Sequence, residues 1–339
     1  MIIKMKKEAT KKQYKKLEEF LESKNLEIRD VSSKLIHIFG IIGDTSSFEP
    51  EDLYAFEGVD EVTRVSTPFK KASRSFKKEN TVIKFKNGIE IGSHQFVMMS
   101  GPCSVESEEQ MRTIAKTVKE SGAHILRGGA YKPRTSPYAF QGLKEEGLKI
   151  LRKVGDEFDL LVVTEIPSAD LLPLFEKYVD IIQVGARNMQ NFELMKALGK
   201  STKPILLKRG LSATIEEWLM SAEYIMNGGN EQIIMCERGI RTFEKYTRNT
   251  LDISAVLSIK ELSHLPVIID PSHAAGRWSM IEKLSLASLA VGADGLIVEV
   301  HNNPEHALSD GAQSLKPKKY LHMVDKLKEL STLLGKDFR

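Results

Sequence analysis

Three observations in the sequence predict an α/β chain built as a (β/α)8 barrel, the TIM-barrel class, behind a small ferredoxin-like domain. From residue 95 onward, eight short apolar runs alternate with stretches long enough for one helix each, which is the rhythm of a barrel whose parallel strands are covered on both sides. No Gly-x-Gly-x-x-Gly follows the first run, so the competing open dinucleotide-binding sheet is disfavoured. Ahead of residue 67 the pattern reads strand, helix, two strands, short helix, strand, the βαββαβ order of a ferredoxin-like unit. A chain of 339 residues has room for both parts.

Taken in order, residues 1–66 open with an apolar strand at Ile2 and Ile3. The stretch "KKQYKKLEEFLES" then puts Tyr14, Leu17, Phe20 and Leu21 on one helical face. The runs "LEIRDVS" and "KLIHIFGII" read as strands, "EPEDLYAFEG" as a short helix and "EVTRVST" as a last strand. Such a unit suits a regulatory or interface role, with a ligand-free structural appendage as the alternative. Residues 67–80, "TPFKKASRSFKKEN", are polar, basic and without periodic apolar positions, and read as a flexible linker. The barrel domain is expected over 81–339, entered by a hairpin of "TVIKF" and "IEIGS" around "KNG". Its strands are "FVMMS", "HILRG", "LLVVTE", "DIIQVG", "PILLKRG", "QIIMCERG", "PVIID" and "GLIVEV", with helices such as "EEQMRTIAKTVKESG" between them.

Composition narrows the function classes. Hydrophobic residues at 41% and charged residues at 28% describe a folded globular chain. A net charge of +3 is too small for a global nucleic-acid footprint, and the basic run "KKEATKKQYKK" is followed at once by glutamates, as on a solvated helix face. No nucleic-acid or membrane partner is expected: the most apolar stretch, "LSLASLAVGADGLIVEV", is broken by Gly292 and Asp294 well short of a span. Two cysteines make no disulfide framework, and a reduced, cytoplasmic setting is the expectation. The "GKST" at Gly199–Thr202 is no phosphate loop, because Leu194 stands where its first glycine belongs and a helix, not a strand, precedes it.

In such a barrel the chemistry sits at the carboxyl ends of the strands. There the sequence places Arg127, Lys132, Arg134, Arg187, Lys208, Arg209 and Arg238, three of them directly before glycine. Glycine lets backbone approach an oxyanion while a guanidinium forks onto it. So many cations at one mouth repel each other when alone, so they imply substrates with several negative charges, two phosphorylated or carboxylated molecules at once. Pro133 and Pro137 stiffen the loop around Arg134 and Thr135, which lowers the entropy lost on clamping a phosphate. A second constellation is Cys103, His273 and Glu299 at the ends of strands one, seven and eight, neighbours in a closed barrel, with Asp310 just beyond. Thiolate, imidazole and two carboxylates form a site open to Mn²⁺, Fe²⁺, Co²⁺ or Zn²⁺. Taken singly each has a plainer reading as packing or a turn; their joint placement favours the ion. Cys236, next to Glu237, is expected to point the other way and to pack.

The motifs "GPCSVES", "LRGGAYKPRTSPYAFQG", "QVGARNMQNF", "LLKRG", "CERGIRTFEKYTRNTLDISAV", "DPSHAAGR" and "GLIVEVHNNPEHALSDGAQSL" closely resemble 3-deoxy-D-arabino-heptulosonate-7-phosphate (DAHP) synthases of the branch with an N-terminal ferredoxin-like domain. The resemblance implies condensation of phosphoenolpyruvate with erythrose 4-phosphate, the entry step to the aromatic amino acids. It implies that Arg127, Lys132, Arg187, Lys208 and Arg238 hold phosphoenolpyruvate. By the same correspondence Pro133, Arg134, Thr135, Ser136 and Asp270 take erythrose 4-phosphate, and Cys103, His273, Glu299 and Asp310 take a divalent ion, manganese first. Lys132 is expected to donate a proton to the developing alkoxide, Glu237 to order the attacking water, and His273 to serve in catalysis with the ion. A homotetramer and feedback by tyrosine or phenylalanine at the first domain are further implications. The nearest alternative is 3-deoxy-manno-octulosonate 8-phosphate synthase, whose loop typically reads Lys-Ala-Asn-Arg where this chain has Lys132-Pro133-Arg134-Thr135. A non-catalytic phosphosugar sensor is the alternative of another class, and the ion set disfavours it because sensing anions needs no metal.

Overall fold

In the computed structural model described here, all residues are covered except 31, 33–36, 43–44, 46–48, 65–66 and 135, and the side chains of Arg29 and Ile42. The chain divides into two units, Met1–Pro68 and Phe69–Arg339.

In the first unit the order is β1 (Ile2–Met5), α1 (Lys11–Glu22), β2 (Glu27–Asp30), β3 (His37–Ile42), α2 (Pro50–Leu53) and β4 (Val59–Thr63). The sheet runs β2-β3-β1-β4, with β1 antiparallel to both neighbours. Helix α1 starts at a capping box: the Thr10 hydroxyl accepts from the Gln13 backbone N–H at 3.4 Å, and the Gln13 side chain accepts from the Thr10 N–H at 2.7 Å. Leu17 and Leu21 of α1 are buried with Ile3 and Met5 of β1, Phe39 and Ile41 of β3, and Leu53 of α2. The helical 3.6 period and the strand period of 2 thus meet in one small core.

The second unit does not begin with a free linker. Phe69 and Ala72 are buried in the main core of the barrel, and the backbone N–H groups of Lys71 and Ala72 donate to the Glu223 carboxylate at 3.0 and 2.9 Å. The expected linker over 67–80 is therefore anchored from Phe69 onward. Two apolar residues three apart make one turn of contact, too short to register as a period.

A hairpin of β5 (Ile83–Lys84) and β6 (Glu90–Ile91) comes next. Eight parallel strands follow: β7 (Gln95–Gly101), β8 (Ile125–Arg127), β9 (Leu161–Ile166), β10 (Ile181–Val184), β11 (Ile205–Lys208), β12 (Ile233–Glu237), β13 (Val267–Ile269) and β14 (Gly295–Glu299). Each pairs with the next, and β14 pairs with β7, which closes the barrel. Helices α3 (Glu108–Glu120), α4 (Lys144–Glu157), α5 (Leu172–Tyr178), α6 (Phe192–Leu198), α7 (Ile215–Asn227), α8 (Ser254–Leu262), α9 (Pro271–Ala275), α10 (Trp278–Ala290) and α11 (Pro317–Leu333) follow the strands, and a short β15 (Asp337–Phe338) adds to β7. No helix among the described residues is long and apolar enough to cross a membrane.

Strand parity decides what the barrel interior holds. Val97, Met99, Ile125, Val163, Ile181, Leu206, Ile234, Cys236, Ile268 and Ile297 form one interior cluster, together with Ile83, Ile89 and Ile91 of the hairpin. Because side chains alternate along a strand, the next inward positions toward the carboxyl ends are Arg127, Glu165, Gln183, Lys208, Arg238, Asp270 and Glu299. An apolar plug is thus roofed by a charged layer.

Candidate active site

Above that layer lies a cavity of about 260 Å³. Lys132 and Arg134 reach it from the β8–α4 loop, Arg187 from the loop after β10, Lys208 from β11, and Arg238, Arg241 and Arg248 from the loop after β12. Glu165 and Asp310 are the carboxylates among its lining residues, and Pro133 and His273 also face it. Seven cations against two carboxylates is an anion site. Burial pushes the Arg238 guanidinium below the usual value against the pull of Asp270, and Arg248 adds a smaller push in the same direction.

The ion set expected from strands one, seven and eight comes together. Cys103 Sγ, a Glu299 oxygen and an Asp310 oxygen all lie within 4.8 Å of one another. His273 Nε2 stands 3.5 Å from Glu299 Oε1 and 3.9 Å from Asp310 Oδ2. Its other ring nitrogen, Nδ1, is 2.7 Å from Asp270 Oδ2. An Nδ1–H donated to that carboxylate fixes the tautomer and leaves the Nε2 lone pair toward the carboxylates, the arrangement of an ion-ligating histidine. Burial raises the Cys103 thiol to about 11, with Glu299 and Asp310 adding to it against Lys132. Burial also acts to raise Asp310, but Arg248, His273 and Lys132 outweigh it and hold this carboxyl down to about 2. Burial lowers the His273 imidazole against the pull of Asp270, so the ring is neutral at pH 7. A neutral imidazole, two carboxylates and a thiol that must lose its proton fit a divalent ion.

Lys132 joins this set to the cavity. Its Nζ donates to Cys103 O at 3.0 Å and lies 3.1 Å from Cys103 Sγ. Burial alone would lower its pKa, but Cys103 and Glu299 outweigh burial and raise it, so the ammonium stays charged. Arg127 is buried beneath: its NH1 donates to Pro102 O at 2.7 Å and to Glu299 Oε1 at 2.8 Å.

Five expectations are changed by the geometry. Glu237, expected to order water, lies on the outer side of β12. Its Oε2 is 3.0 Å from Arg209 NH1, and its Oε1 accepts from Gly239 N at 2.6 Å. Cys236, not Glu237, faces the interior, because parity runs Ile234, Cys236, Arg238. Arg209 likewise leaves the mouth and pairs with Glu237 and, at 2.8 Å, with Asp252. Asp270, expected at erythrose 4-phosphate, is committed behind His273: Oδ1 accepts from His273 N at 2.9 Å, and Oδ2 takes His273 Nδ1 and the Lys208 ammonium. Burial pushes the Asp270 carboxyl up, but His273 and Lys208 together hold it well below the usual range. Ser136 is exposed, with its hydroxyl accepting from Tyr138 N at 3.3 Å. Arg134 lines the cavity, and its Nε donates to Phe140 O at 3.1 Å. Thr135 lies outside the described residues.

Other cavity residues carried no assignment from sequence. Glu165 projects into the cavity and accepts from Gln183 Nε2 at 3.0 Å. Gly185 makes room for it, since a Cβ there would lie 2.1 Å from Glu165 Oε1. Counting by two from Val163 and Ile181 would have found both residues. Arg241 and Arg248 sit on an irregular loop, where no period points inward.

Comparison with known proteins follows the same division of the chain. Residues 80–336 match the family model described as the DAHP synthetase I family, and residues 1–67 match the DAHP synthase ferredoxin-like domain. The phospho-2-dehydro-3-deoxyheptonate aldolase of Thermotoga maritima is 49% identical over 335 residues, covering 99% of each chain. The crystal structure of that DAHP synthase superposes with a TM-score of 0.95 at 48% identity, over 100% of this chain and 99% of the other. A truncated form of the Thermotoga enzyme covers 79% of this chain and 98% of its own, with a TM-score of 0.74 at 50% identity. A 2-dehydro-3-deoxyphosphooctonate aldolase of Syntrophotalea carbinolica is 31% identical over 242 residues, covering 66% of this chain and 86% of the other.

Proposed function

The chain belongs to the DAHP synthetase I family, and from that membership we propose that it joins phosphoenolpyruvate to erythrose 4-phosphate, with water, giving DAHP and inorganic phosphate. The observation that carries the reading is the cavity, in which seven cations stand beside an ion-ligand set. The closed barrel supplies the rigid floor on which these groups are held.

Arg187, Lys208 and Arg238, with Lys132, would bind the phosphate and carboxylate of phosphoenolpyruvate. Arg127 lies beneath the cavity, its NH1 paired with Glu299 of the ion-ligand set. Pro133, Arg134 and Thr135 would place the phosphate of erythrose 4-phosphate across the same cavity. Holding two mutually repelling anions side by side turns a two-body encounter into an oriented one, which is worth several kcal/mol of barrier, about 7–11 at best. C3 of phosphoenolpyruvate then bonds to the aldehyde carbon. An ion held by Cys103, His273, Glu299 and Asp310 would act as a Lewis acid toward the aldehyde oxygen. Lys132 would give that oxygen its proton, while water adds at C2 and phosphate leaves with cleavage of its bond to C2. Glu165 is the lining carboxylate outside the ligand set, and it takes the water-ordering role first sought at Glu237.

The test is phosphate release from phosphoenolpyruvate with erythrose 4-phosphate or arabinose 5-phosphate, each with and without chelator. Turnover with the four-carbon sugar that chelator abolishes and Mn²⁺ restores is expected. Preference for arabinose 5-phosphate would move the chain to the octulosonate alternative, and chelator-resistant turnover would remove the ion. The βαββαβ order of Met1–Pro68 supports feedback regulation by tyrosine or phenylalanine, and the homotetramer rests on family membership alone. Inhibition by one of them at millimolar concentration is the expected outcome; an unchanged rate with both rules it out.

A further inference from the structure

Arg248 reaches three of the ion-ligand segments at once. Its backbone N–H donates to Ala275 O at 3.1 Å, and Asn249 donates to Ala274 O at 2.8 Å from its backbone and to His273 O at 2.9 Å from its side chain. These bonds staple the loop after β12 onto helix α9, which carries His273. From that anchor Arg248 NH1 lies 3.3 Å from Asp310 Oδ2 and donates to Gln313 Oε1 at 2.8 Å. Gln313 in turn donates from Nε2 to Glu299 Oε2 at 2.7 Å. Gly276, at φ +69°, leaves space for the Arg248 stem, because a Cβ there would come within 2.5 Å of Arg248 Cβ. Asp310 sits at φ +51°, a left-handed backbone that aspartate adopts more readily than most non-glycine residues.

We propose that Arg248, acting directly on Asp310 and through Gln313 on Glu299, is a positioning residue that sets His273, Glu299 and Asp310 relative to one another, so that ion affinity depends on a side chain outside the ligand set. The inference rests on the ion-site reading above. A guanidinium that served only to bind a substrate phosphate would raise KM and leave ion affinity alone. One that orients ligands lowers ion affinity by about 10–100-fold when removed.

Mn²⁺ titration of the full chain, read by electron paramagnetic resonance of the free ion, separates these roles. Arg248→Ala and Gln313→Asn should each weaken Mn²⁺ binding by about 10–100-fold. The double variant should be no weaker than the worse single one, since both act through one chain of bonds, and Arg248→Lys should recover most of the loss. At saturating Mn²⁺ the KM for phosphoenolpyruvate should stay near the wild-type value in Gln313→Asn, whose side chain does not line the cavity. Circular dichroism checks that each variant is folded; if Arg248→Ala is not, Gln313→Asn decides. Wild-type affinity in the folded variants, with Cys103→Ser still impaired, overturns this inference and leaves the ion site standing. Failure of the wild type to bind Mn²⁺ overturns both.

Discussion

Lys132→Met should lower kcat by about 10²–10⁴-fold, the usual contribution of a positioned proton donor. The ammonium lines the cavity and lies 3.1 Å from Cys103 Sγ of the ion set. Its raised pKa, from Cys103 and Glu299 outweighing burial, keeps it protonated and ready to give a proton to an alkoxide, which is far more basic. Lys132→Arg separates charge from proton transfer. It keeps the cation, but a guanidinium does not release a proton in this range. Steady-state kinetics should therefore find KM for phosphoenolpyruvate partly recovered in Lys132→Arg while kcat remains low. A kcat near wild type in the arginine variant would restrict Lys132 to binding.

Cys103→Ser should lose the ion on dialysis and lose activity by about 10²–10⁴-fold, since a Lewis acid at a developing alkoxide is worth several kcal/mol. The serine keeps nearly the same shape but offers a neutral hydroxyl where a thiolate is needed. The metal-free protein gives this variant a pH signature. Burial beside Glu299 and Asp310 puts the thiol at about 11, so binding an ion through sulfur expels one proton. Wild-type Mn²⁺ affinity should then rise about tenfold per pH unit between roughly pH 6 and 8, and the serine variant should lose that slope. Burial shifts the His273 imidazole toward its neutral form, against the pull of Asp270. Full activity of Cys103→Ser without added metal would contradict the ligand assignment.

The barrel was legible in the sequence because a strand covered on both sides must be an unbroken apolar run and its helix an amphipathic one, and both signals are strong in this chain. The grouping of Cys103, His273 and Glu299 was legible because strands one, seven and eight lie together once the barrel closes, and each residue falls at or just past the end of one of them. Facing was harder to read. Arg209 and Glu237 sit at strand ends as the rest do, but they lie one residue out of step with Leu206, Ile234 and Cys236 of the interior. A slip of one residue sends a side chain to the other face, and their buried pair holds the outer layer instead. Asp270 shows a different limit: it has the right parity but spends both oxygens on His273 and Lys208. The link from Arg248 to Gln313 spans 65 residues of sequence and joins two irregular loops, so no local pattern encodes it. Phe69 and Ala72 were hidden among lysines and serines for a similar reason, since one turn of contact carries no period.

The central claim is that this ring of cations and an adjoining divalent ion hold two phosphorylated molecules in one cavity. The most direct measurement is anomalous diffraction from crystals grown with Mn²⁺ and phosphoenolpyruvate. A manganese peak within about 2.5 Å of Cys103 Sγ, His273 Nε2 and oxygens of Glu299 and Asp310 is predicted, with the phosphate of phosphoenolpyruvate on Arg187, Lys208 and Arg238. A peak elsewhere, or phosphoenolpyruvate bound away from those three side chains, would contradict it.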